Sequence, residues 1–284
     1  MKNMKKLVNK NEVNIVVHGG CFHADDVACV ALLKLMHDEV NVVRKFKVDV
    51  DTETADYVLD IGRLDRVTDS QVFLDHHQGP ELIPCTEIKH CAFSKLTERM
   101  IEPGDVLFKK YLYNTLVLPV AAQDNGQNYA EFGLVPSPLT FVNAMGLSWK
   151  DDQKLSDQRF SEVVEMAMMI IKNIIKNIED KIEAIDELTA AIINMEGSVL
   201  VLGRYLPWVD SVIEYNNGNP KVQLVVYPSN RGGYNIQVVP KKSGSFESWI
   251  GIPESITEVK GCTGQAHCAF AFFDNLNDAI AAAK

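Results

Sequence analysis

The stretch "VVHGGCFHADDVACVALLKL", residues 16–35, decides how the chain is read. A short β-branched run stops at His18, a Gly19-Gly20 turn follows, and His23, Asp25 and Asp26 stand just ahead of an apolar pattern of helical period. Two imidazoles and two carboxylates therefore crowd the junction between an expected strand and an expected helix. Taken alone, the arrangement reads equally well as loop decoration in which Asp25 and Asp26 meet the positive end of a helix.

Working outward, β-branched runs recur at residues 13–17, 41–50, 57–61 and 71–75, and helical periods at 26–36, 91–101 and 105–116. Strands interleaved with helices predict an α/β domain over residues 1–150, with a largely parallel sheet flanked by helices. In such sheets ligands gather at the carboxyl ends of the strands. A connecting segment, 151–196, is expected to be one long helix from Ser156 or Asp157 to about Glu196, closed by Gly197. Its Met/Ile cluster at residues 166–178 is read as core packing rather than a cofactor box. Beyond it, "SVLVLGRYL", "KVQLVVYP" and "YNIQVVP" read as strands separated by Asn-Gly-Asn-Pro and Asn-Arg-Gly-Gly turns, and "NDAIAAAK" as a short helix. Residues 197–284 are thus expected to form a smaller α+β domain.

Composition sets bounds rather than a function. The 284 residues are 46% hydrophobic and 23% charged, ordinary for a globular protein. A net charge of −10 argues against a generic basic coat for nucleic acid, but metals or local Lys/Arg can still supply a positive field. Cys21, Cys29, Cys85, Cys91, Cys262 and Cys268 include no CxxC pair and are read as reduced thiols. The basic start lacks the apolar core of a signal peptide, and the most apolar helical stretch is broken by Glu165, Lys172 and Lys176. A cytoplasmic location and no membrane span are the expectation.

The opening junction has companions. "YVLDIG" ends on Asp60, "QVFLDHHQG" on Asp75-His76-His77, and "PVAAQDNG" on Asp124. No one of these is informative alone, and Asp124-Asn-Gly is a turn signal first. Together, the ends of four apolar segments carry a carboxylate or an imidazole. His18, His23, Asp25, Asp60, His76, His77 and Asp124 suffice for two divalent cations sharing a bridging carboxylate, whereas one cation would leave ligands over. Imidazole shifts the preference of an oxygen-rich set toward Mn²⁺, Fe²⁺ or Zn²⁺. The lack of cysteine ligands disfavours a structural zinc site.

In this order, "HGGCFHADDVAC", "YVLDIGRLDR" and "FLDHHQG" resemble the melanocyte-proliferating-gene family of DHH-type phosphoesterases. "VLVLGRYLPWVDSVIE", "LVVYPSNRGGYNIQVVP" and "SFESWIGIPE" extend the resemblance over nearly the whole chain. It implies a DHH-type domain holding two divalent ions, Mn²⁺ or Mg²⁺, joined to a substrate-covering domain, and a metal-dependent phosphoester hydrolase, a 3′–5′ exonuclease on RNA or short oligonucleotides. Carried over by motif, His18 and His23 hold one ion, Asp25, His76 and Asp124 the other, and Asp60 bridges them. His77 faces the phosphate and Asp75 orients the histidine pair.

One departure is Trp249, which stands where the family commonly has Arg. Candidates to grip phosphate in the second domain are Arg204, Arg231, Lys241, Lys242 and His267, residue types that are more often plain surface. Trp249 or Tyr234 is a candidate to stack a base. The expected partner is RNA or a small phosphorylated nucleotide, with the oligomeric state open, a homodimer included. Two other readings stand beside the nuclease: a phosphatase or phosphodiesterase on pAp, dinucleotides or pyrophosphate, and a non-catalytic metal- or nucleotide-responsive binding protein.

Overall fold

The three innermost apolar runs show why a parallel sheet forms. In the computed structural model, which describes residues 2–245, 247–251 and 270–283, Ile15, Val16 and Val17, then Tyr57, Val58 and Leu59, then Val72, Phe73 and Leu74 are all buried. Strands buried on both faces need consecutive apolar residues, not alternating ones. They are β1 (Glu12–His18), β3 (Tyr57–Leu59) and β5 (Val72–Leu74). The edge strand β2 (Glu39–Lys45) alternates between exposed and half-buried positions instead.

The chain divides into two units, Met1–Glu179 and Asp180–Lys284. The sheet of the first runs β2-β1-β3-β5-β4, parallel throughout except that β4 (Arg66–Val67) pairs antiparallel with β5. From β1 the chain crosses first to one side, through α1 (Ala24–Met36) to β2, and then through α2 (Val50–Thr54) back to the other side at β3. The order therefore reverses between β1 and β3, and at such a switch point the loops part and leave a crevice above the strand ends. Helix α1 packs against α3 (Ala92–Met100) and α5 (Leu118–Asp124). The expected α/β architecture, a parallel-rich sheet flanked by helices, is what the first unit has.

Helix α4 (Val106–Leu112) runs into a wide π-helical turn, Tyr113–Val117, and then into α5. Pro119 in the first turn of α5 has no N–H to give, and the ladder widens just ahead of it. After α6 (Phe141–Ala144) comes α7 (Ser156–Glu183). The sequence leads one to expect a single helix to about Glu196; instead it breaks at Ala184 and resumes as α8 (Ile185–Ile193). Ala184 and Leu188 are both buried in the core of the second unit. The Met/Ile cluster divides as well: Ile171, Ile175 and Ile178 are buried at helical spacing with Phe160, Val164 and Ala167, but Met169 is 63% exposed. The apolar seam is narrower than the apolar composition, because a helix buries only one stripe.

In the second unit the sheet order is β6-β7-β8-β9: β6 (Val199–Val201) runs parallel to β7 (Leu224–Pro228), while β8 (Tyr234–Val238) and β9 (Phe270–Phe273) follow antiparallel. Leu200, Val225 and Val239 pack with Trp208, which is 1% exposed, and with Val212 of α9 (Val209–Asn216). Leu224, Val226, Ile236 and Phe273 pack with Ala279 and Ala283 of α10 (Leu276–Ala283). The Asn-Arg-Gly-Gly turn needs its glycine: Gly233 has φ +67°, and a Cβ there would lie 2.3 Å from the Phe273 carbonyl oxygen. Among the described residues, no helix is long and apolar enough to cross a membrane.

Candidate metal centre

His18 closes β1, and the chain turns at once through Gly19 and Gly20. A Cβ at Gly19 would sit 3.1 Å from the carbonyl carbon of Lys45, and Gly20 has φ +87°. The loop is held down from below by Arg44. Its guanidinium donates to Gly20 O at 2.6 Å, to Ser156 Oγ at 2.9 Å and to Asp157 Oδ1 at 3.0 Å, over the Phe160 ring. The loop ends at His23, the N-cap of α1, whose backbone N–H donates to Asp26 Oδ1 at 3.0 Å. Asp25 and Asp26 are both completely buried. Asp25 Oδ2 accepts the Ala92 N–H at 3.3 Å, which ties the first turn of α1 to the start of α3.

Asp60 follows β3 in a left-handed conformation, φ +58°, where its amide donates to Leu74 O at 2.9 Å. Aspartate tolerates that region better than most residues, yet the conformation carries strain of the kind held at functional sites. Beyond β5, Asp75 is taken up by Arg63 and His77. Its oxygens accept the backbone N–H of Arg63 at 2.6 Å, the backbone N–H of His77 at 3.0 Å and His77 Nδ1 at 2.7 Å. Because an ionised carboxylate only accepts, that last bond uses Nδ1 as the donor and leaves Nε2 outside it. Asp124 is the last residue of α5, and Asn125 anchors the turn after it by donating to His90 O and Ala121 O.

These ends converge. Four sets each place their ligating atoms within 4.8 Å of one another: His18, Asp26 and Asp60; His23, Asp25 and Asp60; Asp25, His76 and Asp124; Asp60, His76 and His77. Asp60 belongs to three of them. The His18 and His23 rings lie near parallel with centroids 6.4 Å apart. His76 Nε2 is 3.2 Å from Asp60 Oδ1 and 3.3 Å from Asp124 Oδ2. Even so, His18 Nδ1, Asp25 Oδ1, Asp26 Oδ2, Asp60 Oδ1 and Asp124 Oδ2 are buried with no partner in hydrogen-bond geometry among the described residues.

Burying several carboxylates together is costly, and their acidities show it. Burial, then Asp25, pushes Asp60 up to about 6. Burial, then Asp25 and Asp60, pushes Asp124 up to about 10, and the same causes raise Asp26 well above the carboxylate range. Burial alone would lower His76, but Asp60, Asp25 and Asp75 outweigh it and raise it. His18 is lowered by burial, then by His23 and Arg44. Unpartnered buried oxygens whose acidities are raised for want of a counter-charge, beside an imidazole held toward its neutral form, are what a cation site looks like to its own residues. Oxygen and imidazole donors without thiolate suit hard to borderline divalent ions.

The sequence-selected His18, His23, Asp25, Asp60, His76, His77 and Asp124 all fall in this cluster, and Asp75 sits behind His77. In the sequence Asp26 reads as a helix-dipole residue; the signal for more is a second carboxylate followed by "VACVALL", because such a neighbourhood leaves it no water. Arg204, Arg231, Lys241 and Lys242 belong to the second unit. There Arg204 is engaged by Glu187 at 2.6 Å, and Lys241 pairs with Glu247 beside the Trp249 ring. Arg231 and Lys242 are exposed. His267, like Cys262 and Cys268, lies outside the described residues.

Comparisons with known proteins agree with the motifs. The chain is 23% identical over 293 aligned positions to the MYG1 protein YER156C of Saccharomyces cerevisiae, covering 88% of this chain and 85% of that one. Among solved structures it is similar to a pGpG-specific phosphodiesterase, PggH, from Vibrio cholerae (13% identity, 96% of each chain, TM-score 0.30). It is also similar to an uncharacterized protein from Helicobacter pylori G27 (12% identity, 80% of this chain and 85% of that one, TM-score 0.24). Both scores are too low to bear on fold or activity. The family described as uncharacterised protein family UPF0160, MYG1 exonuclease, matches residues 14–270, from within β1 to the first residue of β9. With that match across both units, the chain belongs to the MYG1 exonuclease family.

Proposed function

We propose that this protein is a DHH-type, two-cation phosphoester hydrolase that acts as a 3′–5′ exonuclease on RNA or short oligonucleotides. Membership in a family named for exonuclease activity supports a hydrolytic enzyme. The observation that carries the reading is the set of buried, unpartnered carboxylate oxygens and the His18 ring nitrogen drawn from the ends of β1, β3 and α5 and the start of α1 to one place beside His76. His18 and His23 would hold one ion and Asp25, His76 and Asp124 the other, with Asp60 available to both; Asp26 would complete the first side.

Divalent ions bound there supply a nucleophile at neutral pH and stabilise charge on the phosphoryl oxygens. The protein's own part is placement. Asp75 fixes the His77 tautomer, so that Nε2 is the ring atom offered to the substrate. Arg44 holds the Gly19–Gly20 turn rigid beneath His18 and His23. In the second unit Arg204, Arg231, Lys241, Lys242 and His267 are assigned to phosphate contact, Arg204 and Lys241 by exchanging a carboxylate partner for phosphate.

The test is a panel of short RNA, short DNA, pAp, a dinucleotide and pyrophosphate, with Mn²⁺ or Mg²⁺ and with EDTA. Stepwise loss of 3′ nucleotides from RNA, abolished by EDTA, is the expected result. Cleavage confined to pAp, dinucleotide or pyrophosphate makes it a phosphatase of the same chemistry; no metal-dependent turnover of any of them refutes the hydrolase.

A further inference from the structure

The Gly19–His23 loop has a second side. Away from the carboxylates it forms one wall of a cleft of about 740 Å³, contained within the first unit and closed by α6, the segment after it and the start of α7. His23 belongs to both sides: it lines this cleft and is a member of the set with Asp25 and Asp60. An occupant seated against the His23 wall therefore meets a residue of the candidate metal centre. We propose that this cleft is the subsite for the nucleoside, base and ribose, next to the phosphate being hydrolysed.

The size is that of a small-molecule site, and its chemistry is that of a base. Phe46 stands at its edge with 80% of its surface exposed. Gly20 leaves room for that ring: a Cβ there would come within 3.0 Å of Phe46 Cε1. Exposed aromatic faces beside a nucleic-acid path serve as stacking platforms. The Asn143 amide, on α6, lines the cleft with no hydrogen-bond partner among the described residues, and offers the paired donor and acceptor that a base edge matches. The cationic group in the wall argues against a second phosphate pocket. Arg44 already donates to Gly20 O, Ser156 Oγ and Asp157 Oδ1, so its charge is matched by Asp157. Lys154 is the other cationic side chain that lines the cleft, and it suits a flanking phosphate.

This inference rests on the hydrolase reading for its biology but is tested without turnover. Adenosine 5′-monophosphate and ribose 5-phosphate share a phosphate and differ by the base. Calorimetric titration of the full chain should show the nucleotide bound about tenfold tighter than the sugar phosphate. Phe46→Ala should remove most of that preference, and Asn143→Ala about threefold of it. Both side chains are exposed, so neither change threatens the fold. Equal affinities in the native protein, or a preference that survives both substitutions, overturn the subsite. A chain that prefers the nucleotide through Phe46 yet cleaves no phosphoester refutes the hydrolase and leaves the subsite standing.

Discussion

At the scale of single residues the account turns on Asp60. It is shared by three of the four ligating sets, strained in its backbone and raised in pKa. Asp60→Asn keeps the shape and removes the charge, and should cut metal-dependent turnover by about a thousandfold or more with the circular dichroism spectrum unchanged. Activity within a few-fold of native would remove Asp60 from the centre. Asp75 makes a different prediction, since it reaches the cluster through His77 and otherwise holds two backbone amides. Asp75→Asn should lower turnover by about 10–100-fold while two cations still bind by titration. A third prediction concerns His37, buried away from the site. It bonds Lys10 O through Nδ1 at 2.8 Å and lies 3.2 Å from the Tyr57 hydroxyl through Nε2, an arrangement that suits neutral imidazole. Burial lowers its pKa below the ordinary 6.5. Its contribution is then complete above about pH 6.5 and lost as pH falls toward the folded value, because the unfolded chain takes up the proton first. The Tm gap between native protein and His37→Gln should narrow from pH 8 to pH 5; a gap that widens contradicts the assignment.

At the scale of elements, what was legible in the sequence depended on how local its cause is. His18, Asp60 and His76 could be read as strand-end residues because the buried runs before them are short, β-branched and bounded by Gly or polar residues. The two-residue edge strand β4, the π turn before Pro119 and the break at Ala184 could not, since each answers to packing partners far along the chain. Asp26 was hidden for the same reason: whether a carboxylate in a first helical turn faces water or a second carboxylate is settled by β1 and β3, not by its neighbours. The exposure of Met169 likewise depends on which stripe of α7 finds a partner. The Gly-Gly turn carries the element-level prediction. Because a Cβ at Gly19 would press on Lys45 backbone rather than a yielding side chain, Gly19→Ala should destabilise by about 1–3 kcal/mol in denaturant unfolding. No loss of stability would mean that β1 and β2 are not held as close at their ends as the structure has them.

At the scale of the whole molecule the central claim is that turns far apart in sequence, residues 18–26, 60, 76–77 and 124, meet to cage a pair of cations. The parallel sheet makes this possible by bringing the ends of β1, β3 and β5 side by side at the point where strand order reverses. Mutual repulsion of the buried carboxylates is the cost when no counter-charge is bound. The most direct measurement is an anomalous difference map from crystals grown with Mn²⁺. Two peaks are predicted, one touching His18, His23 and Asp60, the other Asp60, Asp25, His76 and Asp124. A map with no peak among these residues, or with the imidazoles turned apart, would contradict the account.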